Sequence, residues 1–192
     1  MRAASAHRPH LDALALSEDA KDALDQYLDL LSRWNERVNL TGAKTPHERV
    51  QMLVAPAAAA APFLGEGALL DVGSGNGSPG LVLAVLRPGP AATLLEPRKR
   101  RWAFLREAAR ALGRSDIEVL RLRHDEYQGP SAPNVTIRAL ALPLRELVPL
   151  VQAGGRVLVF GAEAVLEDGW VKERDVLVPG SSLRILRRPC FT

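Results

Sequence analysis

The apolar run Leu69-Leu70-Asp71-Val72 leads straight into a loop with glycines at alternate positions, Gly73-Ser74-Gly75-Asn76-Gly77, closed by Ser78-Pro79-Gly80. Glycine has no Cβ, so such a loop takes up positive φ and lets its backbone approach a ligand closely. Nineteen residues beyond Gly77, at the end of the next apolar run, stands Glu96. A carboxylate there accepts hydrogen bonds from two ribose hydroxyls. Strand, glycine turn and acid after the second strand together describe an adenosine site.

The spacing narrows the ligand. A dinucleotide turn reads Gly-x-Gly-x-x-Gly; counted from Gly73, its third glycine falls on Ser78, and the Gly-Lys-Ser/Thr ending of a phosphate loop is absent. Gly-x-Gly-x-Gly with Asp71 two residues ahead suits S-adenosylmethionine, which has no phosphate to cradle. Asp71 then organises the loop or faces the amino group of the methionine moiety. The competing readings are a glycine turn without a ligand and a nicotinamide or flavin site.

Other chemistries are poorly served. His7, His10, His47 and His124 are too scattered in the chain to predict a metal site. Pyrimidine C5 methylation takes a cysteine nucleophile, usually in Pro-Cys after the fourth strand, whereas Pro189-Cys190 follows the last strand and reads as a tail thiol. Exocyclic amine methylation goes with an Asn/Asp-Pro-Pro-aromatic turn, and Ile137-Arg138-Ala139-Leu140 occupies that place.

The elements that must position these residues follow from periodicity. Ser17 with Glu18 and Asp19 caps a helix start. Leucines at three- and four-residue spacing then predict an amphipathic helix to about Arg37. Pro46 to Ala61 reads as a second helix. Strands are expected at 68–72, 93–96, 117–122, 134–137 and 156–160, with helices at 80–87, 98–112 and 142–152 between them. Strands 171–178 and 183–186 close the chain as a hairpin through Pro179-Gly180-Ser181-Ser182. The pattern predicts an α/β fold: a doubly wound, Rossmann-like sheet with a terminal antiparallel hairpin, binding at the carboxyl ends of its strands. Residues 1–62 are expected to form a helical appendage packed on a core of residues 63–192.

The chain has 192 residues, 47% of them apolar and 24% charged, which excludes a disordered or membrane class and allows one compact unit. Its longest apolar stretch, Leu53 to Gly65, is interrupted by Pro56 and Pro62 and is too short to span a bilayer. The leading residues lack a signal-peptide apolar region, and the single Cys190 permits no internal disulfide. A cytoplasmic monomer is the expectation.

The pI of about 9.4 is only mildly basic, but the charge is uneven. Nine cations against three acids fall between Arg98 and Arg123, while Asp12 to Glu36 holds seven acids against Lys21 and Arg33. A polyanion binder and a solvated amphipathic helix both fit such a run.

Trp34-Asn35-x-x-Val38-Asn39-Leu40-Thr41, the run from Leu70 to Gly80, Lys99-Arg100, and Arg138-Ala139 together resemble the RsmG (GidB) family over about residues 24–160. The resemblance implies S-adenosylmethionine-dependent methylation of a guanine N7 in 16S, small-subunit ribosomal RNA near the decoding region, on naked RNA or on the assembled subunit. It implies cofactor contacts from Gly73, Ser78, Asp125, Glu126 and Arg138, beside Asp71, Ser74, Gly75, Gly77 and Glu96 from the loop reading. Asp125 and Glu126 would then read the adenine edge. Guanine N7 already presents a lone pair, so the reaction demands placement rather than a catalytic base; Asn39 and Arg138 are the candidates for that placement. Arg98, Lys99, Arg100 and Arg101 would hold RNA phosphates. The chain departs from the family pattern at Gln51, Met52, Ala55, Asn134 and Phe160, each a position expected near the substrate. Methylation of another RNA or a small molecule, or cofactor binding without turnover, are the alternatives.

Overall fold

The structure, a computed structural model, describes residues 5–140, 142–161 and 169–190. The helices α1 (Arg8–Asp12), α2 (Glu18–Asn35), α3 (Pro46–Arg49) and α4 (Ala55–Ala60) precede an alternating series: β1 (Leu69–Val72), α5 (Gly80–Leu86), β2 (Ala92–Leu95), α6 (Lys99–Ala111), β3 (Ile117–Leu120), β4 (Ala132–Arg138) and β5 (Val151–Phe160). The strands β6 (Val171–Val178) and β7 (Ser181–Arg187) complete one seven-stranded sheet in the order β3-β2-β1-β4-β5-β7-β6. Strands β1 to β5 run parallel, and β7 lies antiparallel between β5 and β6. The order reverses between β1 and β4, which opens a crevice at their carboxyl ends. The expected doubly wound sheet and closing hairpin are both present; the hairpin turn is tighter than expected, just Pro179-Gly180.

Side chains alternate across each strand, and β1 shows what this does. Leu69 packs with α2, α5 and α6 in one buried cluster that also holds Leu11, Leu24 and Leu53. Leu70 and Val72 pack on the other side with Val135, Ile137, Leu147 and Val157. The leading helices therefore form one layer on the sheet and share its core. His7, buried at the start of α1, ties it to α2 through Nδ1, 3.0 Å from Asp29 Oδ1, and burial lowers its pKa. The structure thus gathers His7, Asp25 and Asp29, which the sequence kept apart, but the Ser5 hydroxyl already donates to Asp25 in a helix-to-helix clamp.

Two expected helices are altered by proline. Residues 46–61 form α3, a π turn over Val50–Val54, and α4. Pro56 has no N–H to donate to a carbonyl one turn back, so the helix widens ahead of it. Residues 144–150 form a 3-10 helix with Pro149 inside, and β5 begins at Val151, ahead of the expected 156. Helix α2 ends at Asn35, short of Arg37.

Two departures expected near a substrate are structural. Asn134 is fully buried at the entry to β4, the far end of the sheet from the crevice: its Oδ1 accepts from the Gly65 N–H at 2.7 Å, and its Nδ2 donates to the carbonyls of Gly65 and Ala68. An acid there has no donor for those carbonyls. Phe160 is fully buried with Leu158, Leu183 and Ile185.

Candidate cofactor site

The glycine loop holds its shape from both sides of the sheet. Gly73, Gly75 and Gly77 all have positive φ, of 74°, 55° and 93°. Gly80 opens α5 against β1; a Cβ there would lie 2.4 Å from the Asp71 side chain. It takes the place of the third glycine of a dinucleotide turn, counted from Gly75 rather than Gly73, and its task here is close helix–strand packing. The Ser78–Pro79 peptide is cis.

Asp71 sits on the same strand face as Leu69 and so lies beneath α5, outside the cavity. Its Oδ1 accepts from the Thr136 hydroxyl at 2.5 Å, and the Ser74 hydroxyl donates to its backbone carbonyl at 3.1 Å. Burial pushes the Asp71 carboxyl up to about 6. Of its two expected roles, the geometry fits loop organiser.

Glu96, nearly fully buried at the end of β2, accepts the Gly75 N–H on Oε2 at 2.9 Å and the Arg98 N–H on Oε1 at 2.8 Å. Each carboxylate oxygen keeps a further lone pair toward the cavity.

The leading segment shapes its own turn and reaches the loop at Asn76. Asn35 Oδ1 accepts the N–H groups of Leu40 and Thr41 at 2.8 and 2.9 Å. Asn76 Nδ2 donates to the Leu40 carbonyl. The buried Tyr27 hydroxyl donates to the Asn76 carbonyl at 2.7 Å. Within the Trp-Asn motif, Asn35 therefore shapes the turn, while Asn39 is exposed and outside the cavity wall.

Arg138 ends β4 inside the crevice. Its guanidinium donates to the Ser78 Oγ and to the Met52 carbonyl, each at 2.7 Å, and Ser78 Oγ donates to the Leu53 carbonyl at 2.7 Å. The π turn exposes these two carbonyls, and Pro56 provides no N–H to compete for Met52. Burial lowers the Arg138 pKa, yet among the described residues no carboxylate lies within ion-pair distance of it. The next residue, Ala139, holds φ 49°, an unusual strain for a non-glycine residue at a cavity wall.

The cavity so enclosed has a volume of about 570 Å³, within the range of small-molecule sites. Gly73, Ser74, Gly75, Ser78, Glu96, Arg98, Arg101 and Arg138 all line it, as do Thr41, Met52, Leu140 and Leu142. Gly77 does not; it packs on Leu81 and Leu105. Asp125 pairs with Arg123 at 3.1 Å, Glu126 accepts the Arg123 N–H, and neither reaches the cavity. Leu122, Arg123 and His124 build that wall instead, and the acidic pair gave no sequence signal for this displacement. Lys99, Arg100, Gln51 and Ala55 are outside the cavity wall, and Met52 is its exposed apolar rim. Thr41, which closes the Trp-Asn motif, and Leu140 and Leu142, beyond the end of β4, were not singled out as site residues from the sequence.

Comparisons with known proteins bear on the family and the fold. The family model for GidB, rRNA small subunit methyltransferase G, matches residues 20–182. The ribosomal RNA small subunit methyltransferase G of Alkalilimnicola ehrlichii is 37% identical over 150 residues, 76% of this chain and 68% of that protein. Among solved structures, a SAM-dependent methyltransferase from Aquifex aeolicus superposes with TM-score 0.59 at 13% identity, covering 82% of this chain and 97% of that one. An RNA methyltransferase from Salinibacter ruber in complex with S-adenosyl-L-homocysteine gives TM-score 0.53 at 19% identity, covering 85% and 93%. At these identities the solved structures speak for the Rossmann-like methyltransferase fold alone. With the family model spanning the glycine loop, the Trp-Asn turn and the strand that carries Arg138, the chain belongs to the rRNA small subunit methyltransferase G family.

Proposed function

We propose that this chain transfers a methyl group from S-adenosylmethionine to N7 of a guanine in small-subunit ribosomal RNA. The observation that carries the reading is Arg138. Its half-buried guanidinium has no carboxylate partner among the described residues, and two of its donors already fix Ser78 and the Met52 carbonyl. The remaining donors suit the carboxylate of a methionine moiety. At the other end, the spare lone pairs of Glu96 suit ribose hydroxyls, and Leu122 with His124 offers a slot for the adenine. The cofactor supplies a methyl group on a sulfonium centre, which is already electrophilic.

The chain's own residues then have to place the acceptor and keep water away. Met52, Leu53, Leu140 and Leu142 give the cavity its apolar lining, with hydroxyls from Thr41, Ser74 and Ser78. Among the described residues, the only carboxylate and imidazole on the cavity wall are those of Glu96 and His124, both assigned in this reading to the adenosine end. Guanine N7 attacks with a lone pair and releases no proton in doing so, so placement in line with the sulfonium is sufficient. Arg98 and Arg101, on the cavity rim, would hold the adjoining phosphates. The assigned cofactor contacts are Gly73, Ser74, Gly75, Ser78, Glu96 and Arg138.

Transfer of labelled methyl from S-adenosylmethionine to small ribosomal subunits lacking the family's modification tests the reading. Label released by cleavage chemistry selective for N7-methylguanine is the expected result. Label at another atom, or none from a preparation that binds the cofactor, would overturn it.

A further inference from the structure

A second cavity, of about 830 Å³, lies on the opposite side of the first turn of α6 from the cofactor site. The end of α2 and the turn after it supply Arg33, Trp34, Glu36 and Arg37, and α6 supplies Arg100 and Glu107. Arg100 and Arg101 are consecutive residues of a helix, and they diverge: Arg101 lines the cofactor cavity and Arg100 this groove. The two cavities therefore share one rim, with Arg98 and Arg101 on its near side.

The groove brings together three exposed cations from two parts of the chain. Arg8, Arg114 and Arg184 are neutralised by Asp12, Asp116 and Asp175. Among the described residues, neither Arg33, Arg37 nor Arg100 has a carboxylate within ion-pair distance, and all three are exposed. Glu36 and Glu107 also line the groove, so its cations outnumber its acids three to two, and Glu107 accepts the Trp34 indole N–H at 3.2 Å. Leu30, Trp34 and Val38 add an apolar, aromatic part to its lining. Unpaired cations beside an apolar, aromatic lining suit a strand that offers phosphates outward and a base inward.

We infer that this groove holds the single-stranded RNA flanking the target nucleotide, its phosphates on Arg33, Arg37 and Arg100 and its path continuing over the α6 rim into the cofactor cavity. The inference rests on the RNA methylation reading above and deepens it. It adds α2 to the docking surface, so the leading helices bind substrate as well as support the loop. Arg33 and Arg37 also stand outside the Arg98–Arg101 run that the sequence singled out.

The test compares the full chain with the double variant Arg33→Gln/Arg37→Gln, using a 16S ribosomal RNA transcript and intact small subunits as probes over a salt series. Lys172→Gln, on the remote strand β6, is the control. Expected are roughly tenfold weaker binding to both probes and a salt slope shallower by about 1.4, the value for two lost phosphate contacts to single-stranded nucleic acid. Calorimetric S-adenosylmethionine affinity should stay unchanged, which shows the fold and cofactor site intact. Binding and slope equal to wild type would overturn the groove while leaving the RNA reading standing. Loss on intact subunits but not on protein-free RNA would overturn it in favour of a ribosomal protein partner. Failure of the wild-type chain to bind either probe would overturn both readings together.

Discussion

The hydroxyl of Tyr27, buried in α2, donates to the carbonyl of Asn76 at the crest of the glycine loop, 2.7 Å away. Burial holds the phenol well above its ordinary pKa, so it remains a donor at all working pH values. Tyr27→Phe removes the donor and leaves a carbonyl short of a partner, at a cost of about 1–3 kcal/mol. The variant should melt lower and bind S-adenosylmethionine more weakly, with kcat at saturating cofactor little changed. Unaltered cofactor affinity would show that the loop keeps its shape without α2.

Arg138 is a fork used at both tines. Lysine keeps the charge but cannot span Ser78 and the Met52 carbonyl while also meeting a ligand carboxylate. Arg138→Lys should raise the cofactor Kd by roughly tenfold to a hundredfold, the worth of a charged hydrogen bond of about 1.5–3 kcal/mol. The far-ultraviolet spectrum should not change. Tight binding by the lysine variant would remove Arg138 from the carboxylate role.

Asp71 makes stability depend on pH with an unusual sign. A carboxyl held at about 6 when folded binds its proton more tightly than in the unfolded chain, near ~4. Its contribution is complete below that lower value and is lost as pH rises through about 6, by roughly 3 kcal/mol. Asp71→Asn should therefore flatten the stability profile between pH ~4 and ~7, as read by denaturant unfolding at each pH. Arg138 lies close enough to oppose the rise, so Arg138→Ala should steepen the same window. Identical profiles for wild type and Asp71→Asn would contradict the assignment.

Glycines in this chain are not equivalent. At Gly80 a Cβ would overlap Asp71, whereas at Gly42 nothing lies within 4 Å. Gly80→Ala should lower stability by about 1–3 kcal/mol through overpacking and weaken cofactor binding. Gly42→Ala should be neutral or stabilising by up to ~1 kcal/mol. Thermal melts of the pair check the contrast; equal effects would mean that α5 shifts freely against β1.

Much of this was legible in the chain because local patterns and the fold agree. Leu69–Val72 and the glycines after it specify strand and loop without help from distant residues, and Glu96 falls where the next parallel strand must end. The misses involve choices that only packing makes. Asp71 reads equally as loop organiser or ligand contact until the strand's alternation assigns its face, and the family resemblance puts Asp125 at the cavity, where the structure pairs it with Arg123 instead. Asn134 reads as a lost acid until the carbonyls of Gly65 and Ala68 are seen to need a donor. The Arg33–Arg37–Arg100 groove joins helices far apart in sequence, so no spacing announces it.

Pro56 links helix geometry to the cofactor cavity. Because it lacks an N–H, the chain before it widens into a π turn, and the carbonyls of Met52 and Leu53 accept from Arg138 and Ser78. Pro56→Ala restores a backbone donor and favours an uninterrupted α-helix from Pro46 onward. The Met52 carbonyl is then drawn into the helix and Arg138 loses one of its two anchors. The variant should be as stable as wild type or more so, since alanine is the better helix former, yet bind S-adenosylmethionine several-fold more weakly. That opposite movement of melting temperature and affinity separates the proposal from simple destabilisation, which lowers both. Equal affinity in a more stable protein would show that Arg138 is positioned by Ser78 alone and that the π turn has no part in shaping the site.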